Sequence, residues 1–127
     1  MSYEKFFPEV EHGIKPLGGQ VLIQGKFIPA KTVSGIALPD EYREKESYLI
    51  RIGKVIAMGP LAYCNRETTE PWKEGKWAEE GDFVYVPATG SVISKMINNE
   101  RYTFVLLNDT EVVAKLDNLD GYSQFYF

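Results

Sequence analysis

Apolar residues along this chain fall in short runs separated by turn residues, not on the spacing of a helix. Val21-Leu22-Ile23-Gln24, continued by Phe27-Ile28, is a β-rich run broken by Gly25 and bounded by Pro16-Leu17-Gly18-Gly19 and Pro29. From Tyr48 to Met58 apolar and polar residues largely alternate, as on a half-buried strand, and Gly59-Pro60 ends the run. Phe83-Val84-Tyr85-Val86 follows the turn Glu80-Gly81-Asp82. Val92-Ile93 and Met96-Ile97 make another strand, closed by Asn98-Asn99, a favoured hairpin dipeptide. Tyr102 to Leu107 and Val112 to Leu116 complete the set, joined by Asn108-Asp109-Thr110. No segment sustains a helical period over three turns, and strand signals return about every 8 to 15 residues. This spacing predicts a small all-β barrel or sandwich.

Between the strands lie two long excursions. Residues 29–46 carry Pro, Gly, Ser and charge with few apolar side chains, and long loops of this kind in compact domains are functional or mobile. Residues 61–80 hold Trp72 and Trp77 among Pro71, Gly75 and many charges. The two tryptophans suit either an anchor at a protein interface or a lid packed on the barrel. Residues 1–13 read as an aperiodic arm and residues 118–127 as an aromatic tail. Its cluster of Tyr122, Phe125, Tyr126 and Phe127 is costly to leave in water, which predicts that it docks on an oligomer or partner surface.

Composition narrows the function. The 127 residues fit one domain, and 44% hydrophobic with 13% aromatic content excludes general disorder. With 14 basic and 18 acidic residues the net charge is −4, which does not attract phosphate, so nucleic-acid binding is not expected. His12 and Cys64 are the only residues of their kinds, too few for a Cys/His zinc site, an internal disulfide or an ordinary Ser-His-Asp triad. Both read as structural residues, and the acidic clusters Glu9/Glu11 and Glu79/Glu80/Asp82 as solvated faces. No phosphate loop, membrane-length apolar run or signal-type N-terminus is visible, so the expectation is a cytoplasmic protein with no cofactor and no enzymatic activity.

Four segments in order resemble the GroES-type co-chaperonins, the chaperonin-10 family. Ile14-Lys15-Pro16-Leu17-Gly18-Gly19-Gln20-Val21-Leu22-Ile23 is similar to that family's opening "I-x-P-L-x-D-R-V-L-V", with Gly19 and Gln20 where Asp and Arg are usual. Ser34-Gly35-Ile36-Ala37-Leu38-Pro39-Asp40 resembles its mobile loop, "G-G-I-V-L-P-D". Gly53 to Pro60 (GKVIAMGP) is similar to "G-x-V-x-A-V-G-P", and Glu80 to Val86 to "V-G-D-x-V-x-F". Tyr102 to Leu116 resembles the closing hairpin and "D-I-L-A-I". Each piece is common by itself; their order and spacing over residues 14–117 are specific.

The resemblance implies a small, irregular GroES-like β-barrel over residues 14–117, with 29–46 as the mobile loop and 61–80 in the place of the roof hairpin. Residues 66–79 are longer than that hairpin and different, which leaves room for a divergent, phage-encoded member. It implies a homo-oligomeric ring closed by pairing of Lys15–Gln24 in one subunit with Glu111–Leu116 in the next, and a GroEL-type chaperonin as partner. Gly35, Ile36, Ala37, Leu38 and Pro39 would form the contact: an apolar tripeptide on a flexible loop, with Gly35 free to turn and Pro39 holding its predecessor extended. An alternative from the same fold is a phage capsid decoration or cement subunit bound to a major capsid protein, for which the altered insertion and aromatic ends are suited.

Overall fold

The computed structural model describes residues 6–27, 52–87 and 90–120. They form β1 (Gln20–Gln24), β2 (Ile52–Met58), β3 (Phe83–Tyr85), β4 (Ser91–Ile97), β5 (Glu100–Asn108), a single 3-10 turn over Asp109–Glu111, and β6 (Ala114–Leu116). All six strands belong to one sheet in the order β4-β5-β1-β2-β3-β6, and every pairing is antiparallel. The all-β expectation holds. The β4–β5 connection is the dipeptide Asn98-Asn99, with φ of 52° and 66°, the left-handed pair that a two-residue hairpin turn requires.

The sheet wraps around one core. Val21 and Ile23 of β1, Val55 of β2, Val84 of β3 and Val105 and Leu107 of β5 all bury into it, joined by Tyr63, Ala78, Val86 and Val112, with Val92 of β4 packed alongside. β4 at one end of the order and β3, next to last at the other, thus contribute to one interior, as in a barrel in which β4 and β6 are not paired among the described residues. β1 is buried on both faces, because the arm covers the outer one: Gln24 Nε2 donates to the Pro8 carbonyl at 3.0 Å, and the His12 ring lies 5.6 Å from that of buried Phe104. Lys95 Nζ donates to the His12 carbonyl at 2.7 Å. The arm from Phe6 to Gly13 is therefore packed onto the domain.

A second apolar cluster joins this arm to the start of the tail. Phe7, Ile52 and Leu119 are buried together, with Phe6, Phe83, Tyr85 and Leu116 around them. The double pairing of β1 also corrects the expectation that Lys15–Gln24 pairs with a neighbouring subunit. Gln20–Gln24 is hydrogen-bonded to β2 on one side and β5 on the other, so its ladder groups are consumed within the chain. Of that segment, residues 15–19 lie outside the described ladder.

Candidate partner-binding surface

The residues expected to bind a partner, Gly35, Ile36, Ala37, Leu38 and Pro39, lie outside the described residues, as do Tyr122, Phe125, Tyr126 and Phe127. What the structure describes is the base from which the loop departs. Its two ends belong to adjacent strands, with Gln24 registered against Lys54. On the outgoing side Phe27 stacks on Tyr102 with centroids 4.8 Å apart, and its amide donates to the Phe6 carbonyl at 2.7 Å. Lys26 Nζ stands 4.7 Å above the Phe6 ring. On the returning side Ile52 is buried in the cluster of Phe7 and Leu119. The next residue, Gly53, admits no side chain, since a Cβ there would meet the Gln24 carbonyl oxygen at 2.6 Å and the Ile23 side chain. Both ends of the loop are thus pinned by apolar packing.

The excursion after β2 closes as a small hairpin. Trp72 N donates to Tyr63 O at 3.0 Å, Asn65 N to Glu70 O at 2.8 Å, and Cys64 bridges Pro71 in antiparallel fashion. Asn65 Oδ1 accepts from the amides of Glu67 and Thr68 at 2.8 and 3.1 Å, the side-chain turn that suits asparagine at a tip. Three rings gather at its base. Tyr63 and Trp72 meet edge to face at 5.4 Å, Trp72 and Trp77 lie 5.3 Å apart, and Tyr63 and Trp77 5.8 Å. Trp72 packs against the main core, as the lid alternative has it, while Trp77 remains 38% exposed.

The hairpin is fastened by residues that sequence reading passed over. Arg66 Nη2 pairs with the buried Asp109 carboxylate at 2.6 Å, and Nη1 donates to the carbonyls of Cys64, at 2.7 Å, and Leu61. The same Asp109 Oδ2 accepts from the Tyr63 amide at 2.8 Å, and the Asp109 amide donates to the Gly19 carbonyl at 2.9 Å. A carboxylate buried this way is satisfied only with all these donors in place. The Tyr63 hydroxyl is buried and has no hydrogen-bond partner among the described residues. Burial, with the Asp109 charge adding to it, pushes the phenol up to about 12.

Comparison with known proteins bears on this surface. A family model described as the chaperonin 10 Kd subunit matches residues 13–116. The 10 kDa chaperonin of Brassica napus is 35% identical over 105 residues, covering 80% of this chain and 91% of that protein. The co-chaperonin GroES of Listeria monocytogenes is 30% identical over 102 residues, covering 80% of this chain and 96% of its own. The mitochondrial 10 kDa chaperonin of Arabidopsis thaliana is similar at 35% over 105 residues, with the same coverage of 80% and 91%. The chain belongs to the chaperonin-10 family. At Gly19, where the family pattern has Asp, a Cβ would meet the Arg66 guanidinium in its present place. No helix among the described residues is long and apolar enough to cross a membrane.

Proposed function

We propose that this chain is a co-chaperonin lid, a ring of copies that caps a GroEL-type chaperonin and assists protein folding without chemistry of its own. Ile36, Ala37 and Leu38, flanked by Gly35 and Pro39, are the contact. The observation that supports this most is the family match over residues 13–116, which includes the loop and both of its pinned ends. A segment that orders on binding loses conformational entropy, which weakens each contact. Several loops tethered to one ring act at high effective concentration and turn weak contacts into a tight lid that still releases. The partner's nucleotide cycle sets that release.

The ring contact uses the extended segment 14–19 and the outer edge of β6, which among the described residues pairs only with β3. The test is capture of the purified chain by a GroEL-type chaperonin with and without ATP, repeated with Leu38→Ser. Nucleotide-dependent capture that disappears in the variant is the expected result. No capture under either condition, or capture that survives the substitution, overturns this reading.

A further inference from the structure

The arm ahead of β1 touches both ends of the loop. On the outgoing side the Gly25 amide still donates to the Thr103 carbonyl of β5, at 2.9 Å. Two residues on, the Phe27 amide donates instead to the Phe6 carbonyl at 2.7 Å, and the Lys26 ammonium stands 4.7 Å from the centre of the Phe6 ring. On the returning side Ile52, the first residue of β2, is buried with Phe7 and Leu119. Phe6 and Phe7 are neighbours in the chain, so one dipeptide fastens the outgoing and the returning ends together.

This fastening is separate from the interior of the barrel. Phe7, Ile52 and Leu119 form a cluster of their own, apart from the core built on Val21, Val55 and Leu107. The dipeptide is itself held in place. Gln24, buried on β1, donates through Nε2 to the Pro8 carbonyl at 3.0 Å, and the Phe7 ring lies 5.6 Å from that of Phe83 on β3. Phe6 to Pro8 also lie ahead of residues 13–116, over which the family is matched, so the family pattern does not supply them.

We infer that Phe6 and Phe7 are positioning residues for chaperonin binding: the arm is a clasp across the base of the loop, and the affinity of residues 35–39 for their partner depends on its being closed. The inference rests on the co-chaperonin reading above and adds to it a determinant outside the loop. The physical reason is preorganisation. A segment whose two ends are fixed in spacing and direction has less freedom to lose when its middle is captured. With the clasp open, Lys26 and Phe27 are free to reorient, and fixing even one backbone residue again on docking weakens a loop about fivefold. The same factor acts at every loop of a ring, so a small change at each base becomes a large change in avidity.

The experiment is a titration of the full chain onto an immobilised GroEL-type chaperonin with and without ATP. It compares wild type, Phe6→Ala, Phe6→Tyr, Lys26→Met, the double variant Phe6→Ala/Lys26→Met, and Met96→Ala, which alters an exposed side chain of β4. Sedimentation velocity and circular dichroism on the same samples report assembly and fold. With both intact, Phe6→Ala should weaken capture about tenfold or more. Phe6→Tyr, which keeps a ring under Lys26, should stay within about twofold of wild type, and Met96→Ala should not change capture. Lys26→Met should weaken capture about threefold, as loss of a cation over a ring does. The double variant should bind no worse than Phe6→Ala alone, because both changes remove one contact. Lys26→Met alters only the loop side of that contact, so it reads the clasp even if Phe6→Ala loosens the arm. Capture equal to wild type in the folded single variants, or losses that add in the double variant, overturns this inference and leaves the co-chaperonin reading standing. A wild-type chain that is not captured with or without ATP overturns the co-chaperonin reading, and this inference with it.

Discussion

The Tyr63 hydroxyl is the place where the structure makes its sharpest energetic statement. Tyr63 is 1% exposed, its hydroxyl has no hydrogen-bond partner, and its phenol titrates at about 12 where an unfolded chain gives 10.0. Burial is the main cause and the Asp109 charge the second, and both oppose the phenolate. A group whose folded value is raised contributes stability that is fully present below pH 10 and is lost as pH rises through 12. The limit of that loss is about 2.7 kcal/mol, from 1.36 kcal/mol for each pH unit between the two values. Tyr63→Phe removes the titration and the unpaired polar atom while keeping the ring contacts with Trp72 and Trp77. At pH 7.5 the variant should equal wild type or exceed it by about 1 kcal/mol, the low end of what an unsatisfied buried group costs. Above pH 10 its advantage should widen with every fraction of a unit, because the other tyrosines and lysines titrate alike in both proteins. Guanidinium denaturation followed by circular dichroism at pH 7.5, 9, 10.5 and 11, at one protein concentration, measures the gap. A gap that stays constant from pH 7.5 to 11, or a variant destabilised by more than about 1 kcal/mol at neutral pH, would refute the reasoning and mean that the hydroxyl has a partner.

The fastening of the hairpin yields further expectations. Asp109→Ala strands the Arg66 guanidinium and the Tyr63 amide and should cost about 3 kcal/mol in urea unfolding, with the Arg66 share moderated by that side chain's exposure. Gly19→Ala should displace Arg66 from Asp109 and cost about as much as Arg66→Ala. In an Arg66→Ala background the same Gly19→Ala change should cost little, so a double-mutant cycle that comes out additive would contradict the shared site. Phe7→Ala empties the cluster of Ile52 and Leu119 and should lower stability by about 3 kcal/mol. It should also speed proteolysis of the loop that Ile52 anchors, measured by limited digestion against wild type.

Much of the sheet was legible in the sequence, because strand periodicity and turn chemistry are local. The Asn98-Asn99 turn and the strands around it could be read from a dozen residues, and the structure has them there. The central place of β1 also had a signal, the unbroken apolar run Val21-Leu22-Ile23, which suits a strand covered on both faces better than one reserved for a neighbour. The packed arm had none. Phe6 and Phe7 carry no period, and what buries Phe7 is Leu119 at the other end of the chain. Nor could spacing reveal that Arg66 and Asp109, 43 residues apart, form a pair, since each sits in a polar stretch that reads as turn. Local patterns report elements, while a buried ion pair is a property of how distant elements meet.

That pair links positions 19 and 66, which lie far apart in the sequence. Arg66 reaches Asp109 across the space that a side chain at position 19 would fill, so a larger residue there would oblige the guanidinium to move. The Asp109 amide in turn holds the Gly19 carbonyl, at the junction where Gln20 of β1 registers with Asn108 of β5. A hairpin joined only at its two ends would be a mobile appendage. Here its tip is tied to the strand junction at its base, which fixes the Tyr63, Trp72 and Trp77 rings against the barrel and leaves one face of Trp77 in water. A tether at that point stabilises the hairpin and, by the same contacts, sets the direction in which Trp77 faces. Position 19 and the hairpin therefore meet in one contact, and Trp77 is left 38% exposed beside β6.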